Sequence, residues 1–261
     1  MQIMMINMKI LLTTICLFGI FAAFDANAFS ISRINTMYYG GNDDVAVLKI
    51  SSDTTDGSTT FADTSKAGNG GSNHTVTANG QIHHEVDEAK FGATSIHSDG
   101  TNDYLVVTSN SDFVVPISGA FTIDFWINFS STQLSYIFDA NSATSVLIQW
   151  VPGDNWRVQY AGGSVHDSGS WTPTLDQWYH IALVRREAST SHFYVDGIEL
   201  YNFSDGSAFA QDSIYIFGRH NNGDFNLDGY LDEIRYSTGI SRWLNDFTPP
   251  ARPYSPTIIS N

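Results

Sequence analysis

Residues 121–129, FTIDFWINF, alternate without a break. Phe121, Ile123, Phe125, Ile127 and Phe129 fall on one face; Thr122, Asp124, Trp126 and Asn128 fall on the other. Strict period two over that length is the pattern of a half-buried β-strand. SHFYVDGIELYNF (191–203) reads as two strands joined by Asp196-Gly197, the dipeptide of a type I′ hairpin turn. WYHIALVR (178–185) is apolar on both faces, which predicts a central strand with material packed on each side. Further strands are expected at 45–51, 74–79, 103–108, 134–139, 145–151, 156–160, 213–217 and 229–236, nearly all bounded by Gly, Asn, Asp or Ser. A helical stripe is absent beyond the N-terminus, apart from a short helical turn expected within GISRWLNDF (239–247). Many short strands with no helix between them predict an all-β fold: a two-sheet antiparallel sandwich of jelly-roll type.

The N-terminus changes the picture of where that sandwich works. Lys9 is followed by an apolar run of 15 residues (10–24) and by Ala26-Asn27-Ala28. A basic start, a short apolar core and a small-x-small site define a secretory signal peptide, and the run is short of the roughly 20 residues needed to span a bilayer. The expected organisation is therefore a signal peptide (1–28), a lead-in (29–44), the sandwich (45–247) and a Pro-rich C-terminal tail (248–261). The tail either lies on the surface or leads to a partner. The expected destination is secreted or periplasmic, with no membrane span after cleavage. Cys16, the only cysteine, leaves with the signal, so no disulfide braces the mature chain. The formal charge of −15 argues against nucleic acid and anionic membrane, which need a basic footprint.

Five stretches resemble, in order, the LamG-like (laminin-G, concanavalin A-like) jelly-roll family. They are HTVTANGQIHHEVDEAKFGATSIHSDGTNDYLVV (74–107), GAFTIDFWINF (119–129), WYHIALVR (178–185), HFYVDGIEL (192–200) and DGYLDEIRYSTGISRW followed by FTPP (228–250). Together they span nearly the whole mature chain. The resemblance implies the concanavalin A-like sandwich but no single activity, because sugar-binding modules, adhesion modules, hydrolases, lyases and virion proteins share it. It also implies a structural calcium. Asp63 in FADTSKAGNGG matches the first acidic position of the family's early loop, and Asp232 matches the Asp of its late strand. Asn69 and Gly70 would add oxygens, although Lys66-Ala67 is an insertion relative to the common loop. Simple alternation puts Asp232 on the face of Ile234 and Tyr236, where a buried carboxylate needs a partner or a cation. It puts Glu233 on the opposite, solvated face. An Arg partner or a capped loop N–H would serve Asp232 equally.

Catalytic chemistry is poorly represented. Glycosidases on this sandwich set acids on alternate residues of one strand, and EVDE (85–88) breaks that spacing. HHE (83–85) lacks the second His of a zinc protease helix, and His180 reads as a packing residue. Aromatic residues, 13 % of the chain, are better represented, and stacking on a pyranose needs them. Trp126 with Asp124 and Asn128 is the best strand-borne platform. Trp156, Arg157 and Tyr160 around a turn, with Trp171 in a loop, form a second candidate. Three functions stay open: a non-catalytic module binding carbohydrate or a cell-surface glycan; a structural or adhesion component of an extracellular or virion assembly, meeting protein through a sheet edge or the tail; and a polysaccharide hydrolase or lyase.

Overall fold

The computed structural model describes residues 45–65, 73–141, 143–153, 155–186 and 189–254, all within one compact unit, Tyr39–Asn261. The expected signal peptide and lead-in, together with Asn69 and Gly70, lie outside the described residues.

Among the described residues, fifteen strands follow in chain order: β1 (Ala46–Ile50), β2 (Val76–Asn79), β3 (His83–Glu85), β4 (Ser95–Asp99), β5 (Tyr104–Val107), β6 (Phe121–Phe129), β7 (Ser135–Asp139), β8 (Val146–Val151), β9 (Asn155–Tyr160), β10 (Ser164–Asp167), β11 (Trp178–Arg185), β12 (Thr190–Val195), β13 (Ile198–Ser204), β14 (Ile214–Ile216) and β15 (Asp228–Thr238). They form two antiparallel sheets. The larger runs β13-β12-β11-β6-β15-β4-β3, with β1 also paired to β15; the smaller runs β10-β9-β8-β7-β14-β5-β2. The expected sandwich is present. β3, β4 and β10 escape a pattern reading because they are short and carry His, Ser, Glu and Asp rather than alternating apolar residues.

The inner faces meet in one apolar core. β6 contributes Phe121, Ile123, Phe125, Ile127 and Phe129; β9 contributes Trp156, Val158 and Tyr160. The hairpin turn is as expected: Asp196 (φ 49) and Gly197 (φ 77) occupy the left-handed region that a type I′ turn requires.

The outer face of the large sheet is buried as well, because the chain returns across it. Residues 239–247 form no helix. Instead Thr122 Oγ1 donates to Ile240 O (3.0 Å), and Arg242 N donates back to Thr122 Oγ1 (3.0 Å). Trp243 stacks on Phe247 at 4.0 Å, and both pack on Ala182, Val184 and Tyr194. This covering is why β11 reads apolar on both faces. The described part of the tail stays on the sheet: Phe247 N donates to Gly197 O (2.8 Å) and Tyr254 is buried.

β15 corrects a second expectation. Against β6, Asp232 pairs with Trp126 but Arg235 pairs with Asp124, so one extra residue is inserted, and Glu233 adopts φ 51. This is a β-bulge. It shifts the phase of alternation, so that Leu231, Ile234 and Tyr236 all reach the inner core. Asp232 therefore shares the outer face with Trp126, not the inner face with Ile234 and Tyr236. Glu233 is buried rather than solvated, and its carboxylate accepts from Tyr254 N.

Candidate functional site

Register places five residues of five adjacent strands in one row across the outer face. Trp178 pairs with Asn128, Asn128 with Tyr230, Tyr230 with His97, and His97 with His83. Residues directly opposite one another project to the same side, and strands lie about 4.8 Å apart, so the row is about 19 Å long. Trp178, Tyr230, His97 and His83 are half-buried, which leaves ring surface open to solvent. Tyr230 and His97 have centroids 4.7 Å apart, His97 and His83 5.2 Å, and Trp178 and Tyr230 6.5 Å. Between the last two rings lies Asn128, which is fully buried. Among the described residues, neither its amide nitrogen nor its amide oxygen finds a hydrogen-bond partner. A buried amide without partners is costly, and this one lies beneath the row with no exposure of its own.

The rim is acidic. Trp178 Nε1 donates to Glu88 Oε2 (3.2 Å). The Tyr230 phenol is raised above its ordinary pKa, first by burial and then by the charges of Glu85, Glu88, Asp87 and Asp176. The row thus combines half-exposed planar rings with carboxylate acceptors. This suits a polyol with an apolar C–H face and repels an anion.

The residues expected from sequence take different places. Asn128 is the one that joins the row. Trp126 is 6 % exposed, roofed by Lys90 Nζ at 3.8 Å and met edge-on by Phe91 at 5.7 Å. Asp124 is sealed. Arg235 Nε and Nη2 donate to its two oxygens at 3.1 and 2.9 Å, Tyr254 O–H donates to the second, and His180 Nε2 lies at 3.6 Å. Burial opposes ionisation of Asp124, but Arg235 and His180 outweigh it and hold the carboxyl well below its usual range. His180 is buried, as a packing residue should be, and burial lowers its pKa.

The second candidate does not form a surface. Trp156 and Tyr160 point into the core with no exposure, because β9 alternates Trp156-Val158-Tyr160 inward. Arg157 points outward and pairs with Asp167 (2.6 and 2.9 Å). Trp171 packs edge-on against Trp150 and Tyr179 at 5.8 and 5.0 Å, closing one end of the core.

Among the described residues expected to hold calcium, Asp63 and Asp232 are surrounded by hydrogen-bond donors. Asp63 accepts from Lys49 N (3.0 Å), Ser65 N (2.9 Å), Ser65 Oγ (3.0 Å), His74 N (2.9 Å) and His74 Nδ1 (2.7 Å). Asp232 accepts from Phe91 N (3.1 Å) and Glu233 N (2.8 Å). Burial, followed by the neighbouring Glu233, pushes its carboxyl up to about 8. Both carboxylates sit among N–H and O–H donors, whereas calcium is held by oxygen acceptors. The donor sets here do not fit it. The strand-borne carboxylates are closed to a substrate: Asp124 and Asp232 have no exposure and Glu233 has 2 %. Among the described residues no helix is long and apolar enough to cross a membrane.

Two facing antiparallel sheets, with aromatic residues on an outer face, define a lectin-like jelly roll. The family described as the Concanavalin A-like lectin/glucanases superfamily matches residues 99–239, more than half of the chain, and the chain belongs to it. No curated protein sequence matches the chain. Among solved structures, the botulinum neurotoxin serotype D binding domain is 14 % identical, with a TM-score of 0.56 over 76 % of this chain and 49 % of that one. The same toxin's ligand-binding domain in complex with N-acetylneuraminic acid is 14 % identical, with a TM-score of 0.56 over 76 % of this chain and 48 % of that one. The binding domain of Paraclostridial Mosquitocidal Protein 1 is 17 % identical, with a TM-score of 0.57 over 78 % and 50 %. The chain spans about half the length of these structures, and at such identities the likeness is one of fold.

Proposed function

We propose that this chain is an exported, non-catalytic binding module that takes a neutral carbohydrate along the row Trp178–Asn128–Tyr230–His97. The observation that carries this reading is the row of half-exposed rings beside the Glu88 carboxylate. Sugar rings offer C–H faces for stacking and hydroxyls for Glu88. Export is supported by Lys9, the apolar run and Ala26-Asn27-Ala28. The binding-domain character of the similar structures supports a module without catalysis, as do the sealed carboxylates. The acidic rim separates this site from the N-acetylneuraminic acid complex seen with the toxin domain, since that ligand is an anion.

The test is a glycan array probed with the full chain and with Trp178→Ala. Truncating one stacked anchor costs about 2 kcal/mol, about thirtyfold in Kd. Selective binding to neutral glycans that falls by this factor is expected. A blank array from folded protein, or binding confined to sialylated glycans and indifferent to Trp178→Ala, removes the proposal.

A further inference from the structure

At its far end the row leaves the large sheet through the edge pair β3–β4, and there His83, Glu85 and His97 converge. One ligand atom from each lies within 4.8 Å of the others, the only such cluster of three found among the described residues. His83 and Glu85 are two apart on β3 and so share a face; His97 is directly opposite His83 on β4. All three are half-buried, so an ion could reach them from solvent.

The hydrogen bonds orient the cluster. His83 Nδ1 lies 2.7 Å from the carbonyl oxygen of Gln81. A carbonyl only accepts, so Nδ1 carries the hydrogen and the lone pair of the neutral ring is on Nε2. That nitrogen faces Glu85 Oε2 at 3.3 Å. Glu85 Oε1 is tied back by Val86 N (2.8 Å) and Asp87 N (3.1 Å), which leaves Oε2 aimed at the ring. Two acceptors facing each other need a positive centre between them. A proton on Nε2 serves that pair, and His97 brings a third ligand atom within 4.8 Å of both. The spacing suits a metal: four-coordinate zinc, with bonds of about 2.0–2.2 Å, places its ligand atoms about 3.3 Å apart. The Gln81 carbonyl plays the part of the outer partner that fixes the tautomer of a ligating histidine. Asp56 adds negative potential at His83, and Asp103 and Asp228 add it at His97.

We propose that His83, Glu85 and His97 bind a divalent transition ion of the zinc type, with at least one coordination position facing solvent. Two imidazoles and one carboxylate select zinc, copper or nickel over calcium or magnesium, which prefer oxygen alone. His97 also ends the carbohydrate row, but the metal reading is tested separately, because its probe is the metal itself.

The experiment uses the full chain without a histidine tag, stripped with chelator and titrated with Zn2+ by calorimetry. Expected is saturable binding of one equivalent that calcium does not compete away, and a loss of ~10-fold or more in His83→Ala and in His97→Ala. Cobalt should give visible ligand-field bands in wild type that both substitutions abolish. A measurement needing no variant guards against misfolding: Zn2+ should shield His83 and His97 from carbethoxylation, read by mass spectrometry, while leaving half-buried His166 and His220 reactive. Absence of saturable Zn2+ binding, affinity unchanged in the variants, or shielding confined to other histidines would overturn the proposal.

Discussion

Asp124→Asn isolates the contact that ties the C-terminal segment to the sheet. In wild type, Arg235 donates twice to the Asp124 carboxylate at 3.1 and 2.9 Å, both side chains are fully buried, and Tyr254 O–H donates to the same group. At an effective dielectric of about 20, opposite charges 3 Å apart attract by about 5 kcal/mol. Neutralising one partner of a buried pair removes that attraction, which typically costs about 3–5 kcal/mol. The Arg235 guanidinium also lies 3.7 Å from the Tyr254 ring, which favours the lower end of this range. With a urea slope of about 2–3 kcal/mol per M, the midpoint should fall by about 1–2 M at pH 7. The acid dependence is a second check. The folded carboxyl is depressed below its ordinary value of 3.8, so the stability it contributes is fully present above that pH and is lost as the pH falls towards the folded value. The gap between wild type and Asp124→Asn should therefore narrow by about 1.4 kcal/mol per pH unit below pH 4. Adding Arg235→Met should recover much of the loss, since a well-packed apolar replacement for a buried pair is often neutral. A midpoint shift below about 0.5 M, where a buried pair predicts more, or a gap that stays constant in acid, refutes the reasoning.

Trp156→Ala should cost about 3–5 kcal/mol in urea unfolding while leaving glycan specificity as it is, because the ring lies wholly in the core; a surface-sized loss would contradict that placement. Gly197→Ala would drive a Cβ into the carbonyl oxygen of Phe247 at a φ of +77. A loss of about 1–3 kcal/mol, the range for such strain, is expected in the same assay, and no measurable change would refute the close approach of the returning chain. Excess chelator should leave the calcium-free and calcium-loaded melting temperatures equal, since the Asp63 and Asp232 carboxylates are met by N–H and O–H donors. A clear drop on chelation would restore the calcium expectation through ligand linkage.

The local pattern determined the elements and the fold class. Period two in 121–129, the Asp196-Gly197 turn and the doubly apolar 178–185 follow from sterics and burial along a single strand, and a pattern reading reaches them. The same alternation, applied to 155–160, already places Trp156 and Tyr160 opposite Arg157, so their failure to form one surface was legible in outline. Tertiary structure decided the rest. Pairing register is a relation between strands far apart in sequence, and nothing within SIHSD or HHE announces that His97 and His83 meet Tyr230 and Trp178 in one row. The bulge at Glu233 inserts a single residue, and one residue is enough to reverse every later side chain. Asp232 consequently lies outward although simple alternation turns it inward. The path of residues 240–254 completes the difference. A Pro-rich segment with no periodicity of its own acquires a place only by packing, and in doing so it closes Asp124 and leaves the Trp178–Tyr230 row open.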